Sequence, residues 1–179
     1  MRSIRPPDAR RRSDMPVTLE RLNASDRRAF VELLDGIYEH SPWIPERAWL
    51  RRPFADAHPL ELALREVVIE ATRVEQLDLI NQHPRLGART VLTAHSQAEQ
   101  RGAGIERSSS DARDELAELN ARYEQRFGFP FILAVKNLGV RDIIASCRAR
   151  LENDPAAEFE ESLRQIFRIA GFRLAGTLK

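Results

Sequence analysis

The chain of 179 residues has one cysteine, Cys147, and two lysines, Lys136 and Lys179. It has no uninterrupted apolar run near the ~18 to 20 residues of a membrane helix. A lone cysteine excludes an internal disulfide framework and a multi-cysteine zinc site. The four histidines, His40, His58, His83 and His95, form no H-E-x-x-H or H-x-H pattern, so no metal is expected. G-x-S-x-G, P-loop and G-x-G-x-x-G motifs are missing too. Lys136 is the only interior lysine for an imine-forming mechanism, and its place beside Asn137 and Leu138, just before Gly139, suits a surface loop. The N-terminus lacks a signal-peptide apolar core, and Gly176-Thr177-Leu178-Lys179 ends wrongly for a peroxisomal Ser-Lys-Leu signal. The expectation is a cytoplasmic protein with no membrane partner.

What is present is arginine: 26 of the 28 basic residues. The composition, 42% hydrophobic and 31% charged, suits one globular domain large enough to bury a core. The formal charge of +1 is unevenly placed. Residues 1–16 carry Arg2, Arg5, Arg10, Arg11 and Arg12 against Asp8 and Asp14, a net +3 that leaves the remainder at −2. A mildly acidic body argues against a nucleic-acid-binding module. Residues 1–16, rich in Arg and Pro without periodicity, read as a disordered tail, with Met15-Pro16 as an alternative start; residues 17–179 form the folded domain.

Helical periodicity dominates that domain, and the expected fold is all-α: a single compact domain of about seven to eight non-coaxially packed helices. Ser25-Asp26 caps a first helix that runs through Phe30, Leu33, Leu34, Ile37 and Tyr38 to near His40. A kinked Pro42–Pro45 segment follows. Leu64, Val67, Val68, Ala71, Val74, Leu77 and Ile80 form one long buried stripe that His83-Pro84 stops near Gln82. A short helix opens at Ser96; Ser109 or Ser110 caps the next, which Gly128 ends; Gly139 begins another; and Asp154-Pro155 starts the last. Residues 129–135, the one strand-like run, read as an extended buried segment because a single run makes no sheet.

Helical phase marks polar residues on apolar faces. From Phe159, Arg173 falls at about −40°, within the arc of Leu163, Ile166 and Ala170. An arginine there either packs its stem at a helix end or lines a pocket that binds a carboxylate or planar amide. Asn120 lies at about 40° from Leu116, which suits an amide tying down backbone or contacting a ligand. His83 sits where an apolar helix meets proline, as a helix-end cap or as an acid/base at the mouth of a core. Ser96-Gln97-Ala98-Glu99 matches the capping box S-x-x-E, and a capped helix start also presents N–H groups to an anion.

Five segments then occur in order: Glu39-His40-Ser41-Pro42-Trp43, His83-Pro84-Arg85-Leu86-Gly87, Ser96-Gln97-Ala98-Glu99-Gln100, Leu119-Asn120-x-x-Tyr123 and Phe127-Gly128-Phe129-Pro130-Phe131-Ile132. Together they resemble the 2-oxo-4-hydroxy-4-carboxy-5-ureidoimidazoline (OHCU) decarboxylase family over about residues 19–175. The resemblance implies an all-α homodimer that forms (S)-allantoin in urate degradation without a cofactor. It implies catalytic roles for His83 and Glu99. It implies substrate contacts from Pro84, Ser96, Gln97, Ala98, Glu99, Gln100, the backbone of Phe131, Ile132, Leu133, Ala134 and Val135, and Arg173. In that reading His83 pairs with Glu99, whose charge favours the protonated imidazole, while Arg173 and capped N–H groups hold the anionic substrate. The competing readings are a helical enzyme acting on a related ureido or imidazoline compound and a non-enzymatic interaction module.

Overall fold

A computed structural model describes residues 16–87 and 93–179; the proposed tail, apart from Pro16, lies outside the described residues. The fold is all-α. Among the described residues there are nine α-helices and no strand. They are α1 (Leu19–Ala24), α2 (Arg27–Leu33), α3 (Trp43–Ala48), α4 (Ala57–Ile69), α5 (Arg73–Asn81), α6 (Ala94–Gly102), α7 (Ser110–Phe127), α8 (Val140–Arg150) and α9 (Pro155–Thr177). Local chemistry sets most of the starts. Asp26 accepts from the Ala29 N–H at 2.8 Å, and Ser109 accepts from Ala112. Asp154 accepts from Ala156, with Pro155 in the first turn.

Two of the helix boundaries that differ from expectation lie before residue 87. The stripe through residues 64–80 is two helices, α4 and α5, separated at Glu70–Thr72. Thr72 and Glu75 cap each other reciprocally there, a T-x-x-E box. The break resets the phase, so Val74 and Leu77 are exposed rather than buried. The first helix also ends early, at Leu33. Gly36 takes a φ of 76°, and a Cβ there would meet His95 Cδ2 at 2.9 Å, so the chain turns under α6 instead of continuing to His40.

Helix α3 packs on α2 and α4, α7 packs on α8, and α9 lies across α4 and α5. Residues 129–135 run extended and buried among them, as the single apolar run implied. A buried cluster pins this segment: Arg150 donates to the Ile132 carbonyl and to Glu158, whose other oxygen accepts from Asn153. Lys179 N–H donates to Val17 O at 3.0 Å, joining the two ends of the described chain. No helix among the described residues is long and apolar enough to cross a membrane.

Candidate active site

The last long helix delivers Arg173 into the interior, as its phase required; its side chain is 3% exposed. All five of its N–H groups are occupied. Nε and Nη2 grip Glu99 at 2.7 and 2.9 Å, Nη1 donates to Glu39 Oε2 at 2.7 Å and to the Gly36 carbonyl at 2.9 Å, and Nη2 also reaches Ser96 Oγ at 3.1 Å. Arg173 is therefore a strut joining the turn before α3, helix α6 and helix α9. It has no donor left for a ligand carboxylate.

Glu39, quoted among the motif residues without a role, is the residue that sequence reasoning missed. If α2 continued, Glu39 would lie about 180° from Phe30, facing water. The Gly36 turn brings it inside instead, where Thr93 Oγ1 donates to it at 2.6 Å and Ser96 Oγ at 3.0 Å. Burial alone would raise its pKa, but these bonds and the Arg173 charge outweigh burial and hold it below the usual carboxylate range.

The expected capping box at Ser96 is not formed. Helix α6 begins three residues earlier, with Thr93 as N-cap accepting from the Ser96 N–H, and the Gln97 N–H goes to Thr93 O. The N–H groups of Ser96 and Gln97 are thus unavailable to an anion. Ser96 Oγ and Glu99 serve Arg173 instead.

His83 is buried, 7% exposed, just past the end of α5. Its Nδ1 lies 3.0 Å from the Leu79 carbonyl, which can only accept, so Nδ1 carries the proton and Nε2 keeps its lone pair. Burial pushes its pKa down to about 4. The Arg173 charge adds to this, and the Leu79 bond, Glu39 and Glu99 oppose it without prevailing. The expected His83–Glu99 pair, with a protonated imidazole, is therefore absent: Glu99 is gripped by Arg173, and His83 is neutral near pH 7.

His83, Pro84, Ser96, Glu99, Gln100, Phe131, Ile132, Leu133, Val135 and Arg173 line a small inner recess. It adjoins an outer cavity of about 530 Å³ that shares Glu99, Val135, Ile169 and Arg173 and adds His95, Ala98, Ala134, Lys136 and Phe172. Twelve of the thirteen expected site residues thus border one space or the other, and exposed Gln97 borders neither. Gln100 ties the inner loop, accepting from the Gly87 N–H at 3.0 Å. Asn120 does the same from α7, donating to Leu86 O at 2.8 Å.

The recess wall is backbone. Ala134 N–H is taken by Gln165 and the Ile132 carbonyl by Arg150, but among the described residues nothing accepts from the N–H groups of Ile132, Leu133 and Val135. Buried N–H groups of this kind suit a planar, amide-rich ligand. No group of three or more His, Cys, Asp or Glu side chains among the described residues could hold a metal ion.

Fold and site together define an all-helical protein with a backbone-lined cavity beside a neutral histidine. The chain belongs to the OHCU decarboxylase family, whose model matches residues 23–175. It is 40% identical over 159 residues to the 2-oxo-4-hydroxy-4-carboxy-5-ureidoimidazoline decarboxylase of Haloferax volcanii, covering 89% of this chain and 95% of that protein. It is 42% identical to the uric acid degradation bifunctional protein PucL of Bacillus subtilis, where the match covers 88% of this chain and 32% of that longer protein. A crystal structure of (S)-allantoin synthase superposes with a TM-score of 0.73 at 26% identity, covering 90% of this chain and 54% of that one. An OHCU decarboxylase crystallised in the presence of (S)-allantoin shares the fold, with a TM-score of 0.68 at 22% identity over 85% of this chain and 97% of that one.

Proposed function

We infer that this chain is a carboxy-lyase that converts OHCU to (S)-allantoin in urate degradation. The observation that carries the reading is the neutral His83 facing a recess walled by the open N–H groups of Ile132, Leu133 and Val135. Those groups match the carbonyl oxygens of the ring and ureido arm. The carboxylate leaves as CO₂, and the electron pair of the broken bond delocalises into the adjacent C=N bond, so the substrate is its own electron sink. His83 Nε2 accepts the 4-hydroxyl proton as that carbon becomes a carbonyl and returns a proton to the neighbouring carbon on one face, which sets the S configuration, while the ring nitrogen that received the electron pair takes one proton from water, leaving the product neutral. A buried imidazole with its lone pair free begins as a base and finishes as the donor. Glu99, held by Arg173, orients the hydroxyl, and Glu39 positions Arg173.

The same reading takes the enzyme as cofactor-independent and as a cytoplasmic homodimer, with Leu62, Ile69, Val74 and Leu77 as apolar surface exposed on α4 and α5. Freshly generated OHCU tests the activity. Accelerated decay with the optical activity of (S)-allantoin is expected; decay at the uncatalysed rate would sink the reading and leave a related ureido compound as the substrate. Sedimentation of the purified chain checks the dimer.

A further inference from the structure

OHCU enters as an anion, and the inner site is a poor host for one. Glu39 and Glu99 contribute two negative charges against the single positive charge of Arg173, and every Arg173 donor is already engaged. Among the described residues that line the recess and cavity, Lys136 is the cation in no ion pair. Its ammonium stands 4.6 Å from the centre of the Phe172 ring, which also lines the cavity. A turn fixes this position. Leu138 N–H donates to Val135 O at 3.0 Å and Asn137 takes a left-handed φ of 65°, so Lys136 occupies the corner directly after the backbone wall of residues 132–135.

We propose that Lys136 is the substrate-carboxylate-binding residue, placed at the rim of the outer cavity so that the ring enters the recess while the carboxylate faces outward. The assignment rests on the decarboxylase reading above. Its physical sense lies in what must leave. A carboxylate held tightly by a buried guanidinium would be stabilised in the ground state and would lose that stabilisation as CO₂ forms. An exposed, hydrated ammonium attracts the anion and sets its direction without such a grip. The organic product carries no charge, so its release does not break an ion pair with Lys136.

The test compares wild type, Lys136→Met and Lys136→Arg on freshly generated OHCU, with neutral (S)-allantoin as a competitive inhibitor. Lys136→Met should raise KM about tenfold and flatten the salt dependence of kcat/KM, while kcat stays within about twofold. Lys136→Arg should recover most of the KM. Inhibition by (S)-allantoin should match wild type in both variants, which also shows that the cavity is intact. A wild-type KM in Lys136→Met overturns the assignment. So does a parallel loss of affinity for substrate and (S)-allantoin, which would mean that Lys136 shapes the cavity rather than reads charge. A wild type that leaves OHCU decay unaccelerated instead overturns the functional reading, and this assignment with it.

Discussion

Among the described residues two arginines are buried against carboxylates, and they do different things. Arg150, at the end of α8, binds Glu158, Tyr123 and Ser162 side chains and the Ile132 carbonyl, all drawn from α7, α9 and the segment between α7 and α8. Arg173 binds Gly36, Glu39, Ser96 and Glu99, which lie 74 to 137 residues away in sequence. Glu158 is fully buried, whereas the Glu99 side chain keeps 30% of its exposure and borders both the recess and the outer cavity. The chemistry of the two clusters is the same; their boundaries are not. One is sealed and holds the recess wall in place, and the other meets the space that a ligand would fill.

The comparison breaks most sharply at His83, which belongs to the open side. His83→Gln keeps a polar side chain of similar reach but cannot move a proton, so kcat should fall by about 10²- to 10⁴-fold. Circular dichroism and sedimentation should match wild type. A folded variant with undiminished rate enhancement would remove His83 from the chemistry.

Arg150→Met attacks the sealed side. It leaves the Glu158 carboxylate without its countercharge at full burial, which should cost about 3–5 kcal/mol in denaturant unfolding. Activity per folded molecule should survive at temperatures where the variant remains native. A loss of kcat larger than the loss of folded protein would mean that the Ile132 carbonyl shifts when its anchor goes, and that the two clusters are not separable.

Acid should distinguish the clusters as well. The folded-state pKa of His83, about 4, lies below the usual 6.5, so between those values the unfolded chain binds a proton that the folded chain does not. Its contribution to stability is complete above about pH 6.5 and declines as pH falls towards 4, by up to ~3 kcal/mol in all. His83→Gln should flatten that part of the stability–pH curve, and Arg150→Met should recover part of its lost stability as acid protonates the uncompensated Glu158. Urea midpoints measured from pH 7 to 4 check both.

Much of this was legible from residue order. Apolar periodicity marked the all-α fold, and phase alone placed Arg173 inside. The same phase argument puts Arg150 at about −20° from Ile143, in the apolar arc with Cys147, so it identifies buried arginines without telling a strut from a seal. What separates them is where a cavity falls, and that depends on how α6, α9 and the Gly36 turn meet. Glu39 was hidden for the same reason, because its inward position comes from a turn that interrupts its own helix. The His83 charge state could not be read from its neighbours in sequence either. Burial outweighs two nearby carboxylates, one of which Arg173 has already claimed. The split between α4 and α5 was legible, since Thr72 and Glu75 stand at capping-box spacing, but the strong apolar stripe spans the break.

The mildest probe is Tyr123→Phe, and it asks how far the sealed cluster can be trimmed before the open one notices. Tyr123 is fully buried, with its ring 4.7 Å from Phe127 and 5.2 Å from Phe131 between centres, and burial raises its pKa so that the phenol stays protonated and donates to Glu158. Phenylalanine keeps all of the ring packing. Glu158 retains Arg150 and Asn153, and Arg150 retains Glu158, Ser162 and the Ile132 carbonyl, so no charge is orphaned. The cost should be that of one hydrogen bond in a well-satisfied network, about 1 kcal/mol by urea unfolding, with kcat and KM at wild-type values. A change in kcat without further loss of stability would mean that the register of residues 131–135 is set by the phenol through Arg150, and the sealed cluster would then count as part of the site.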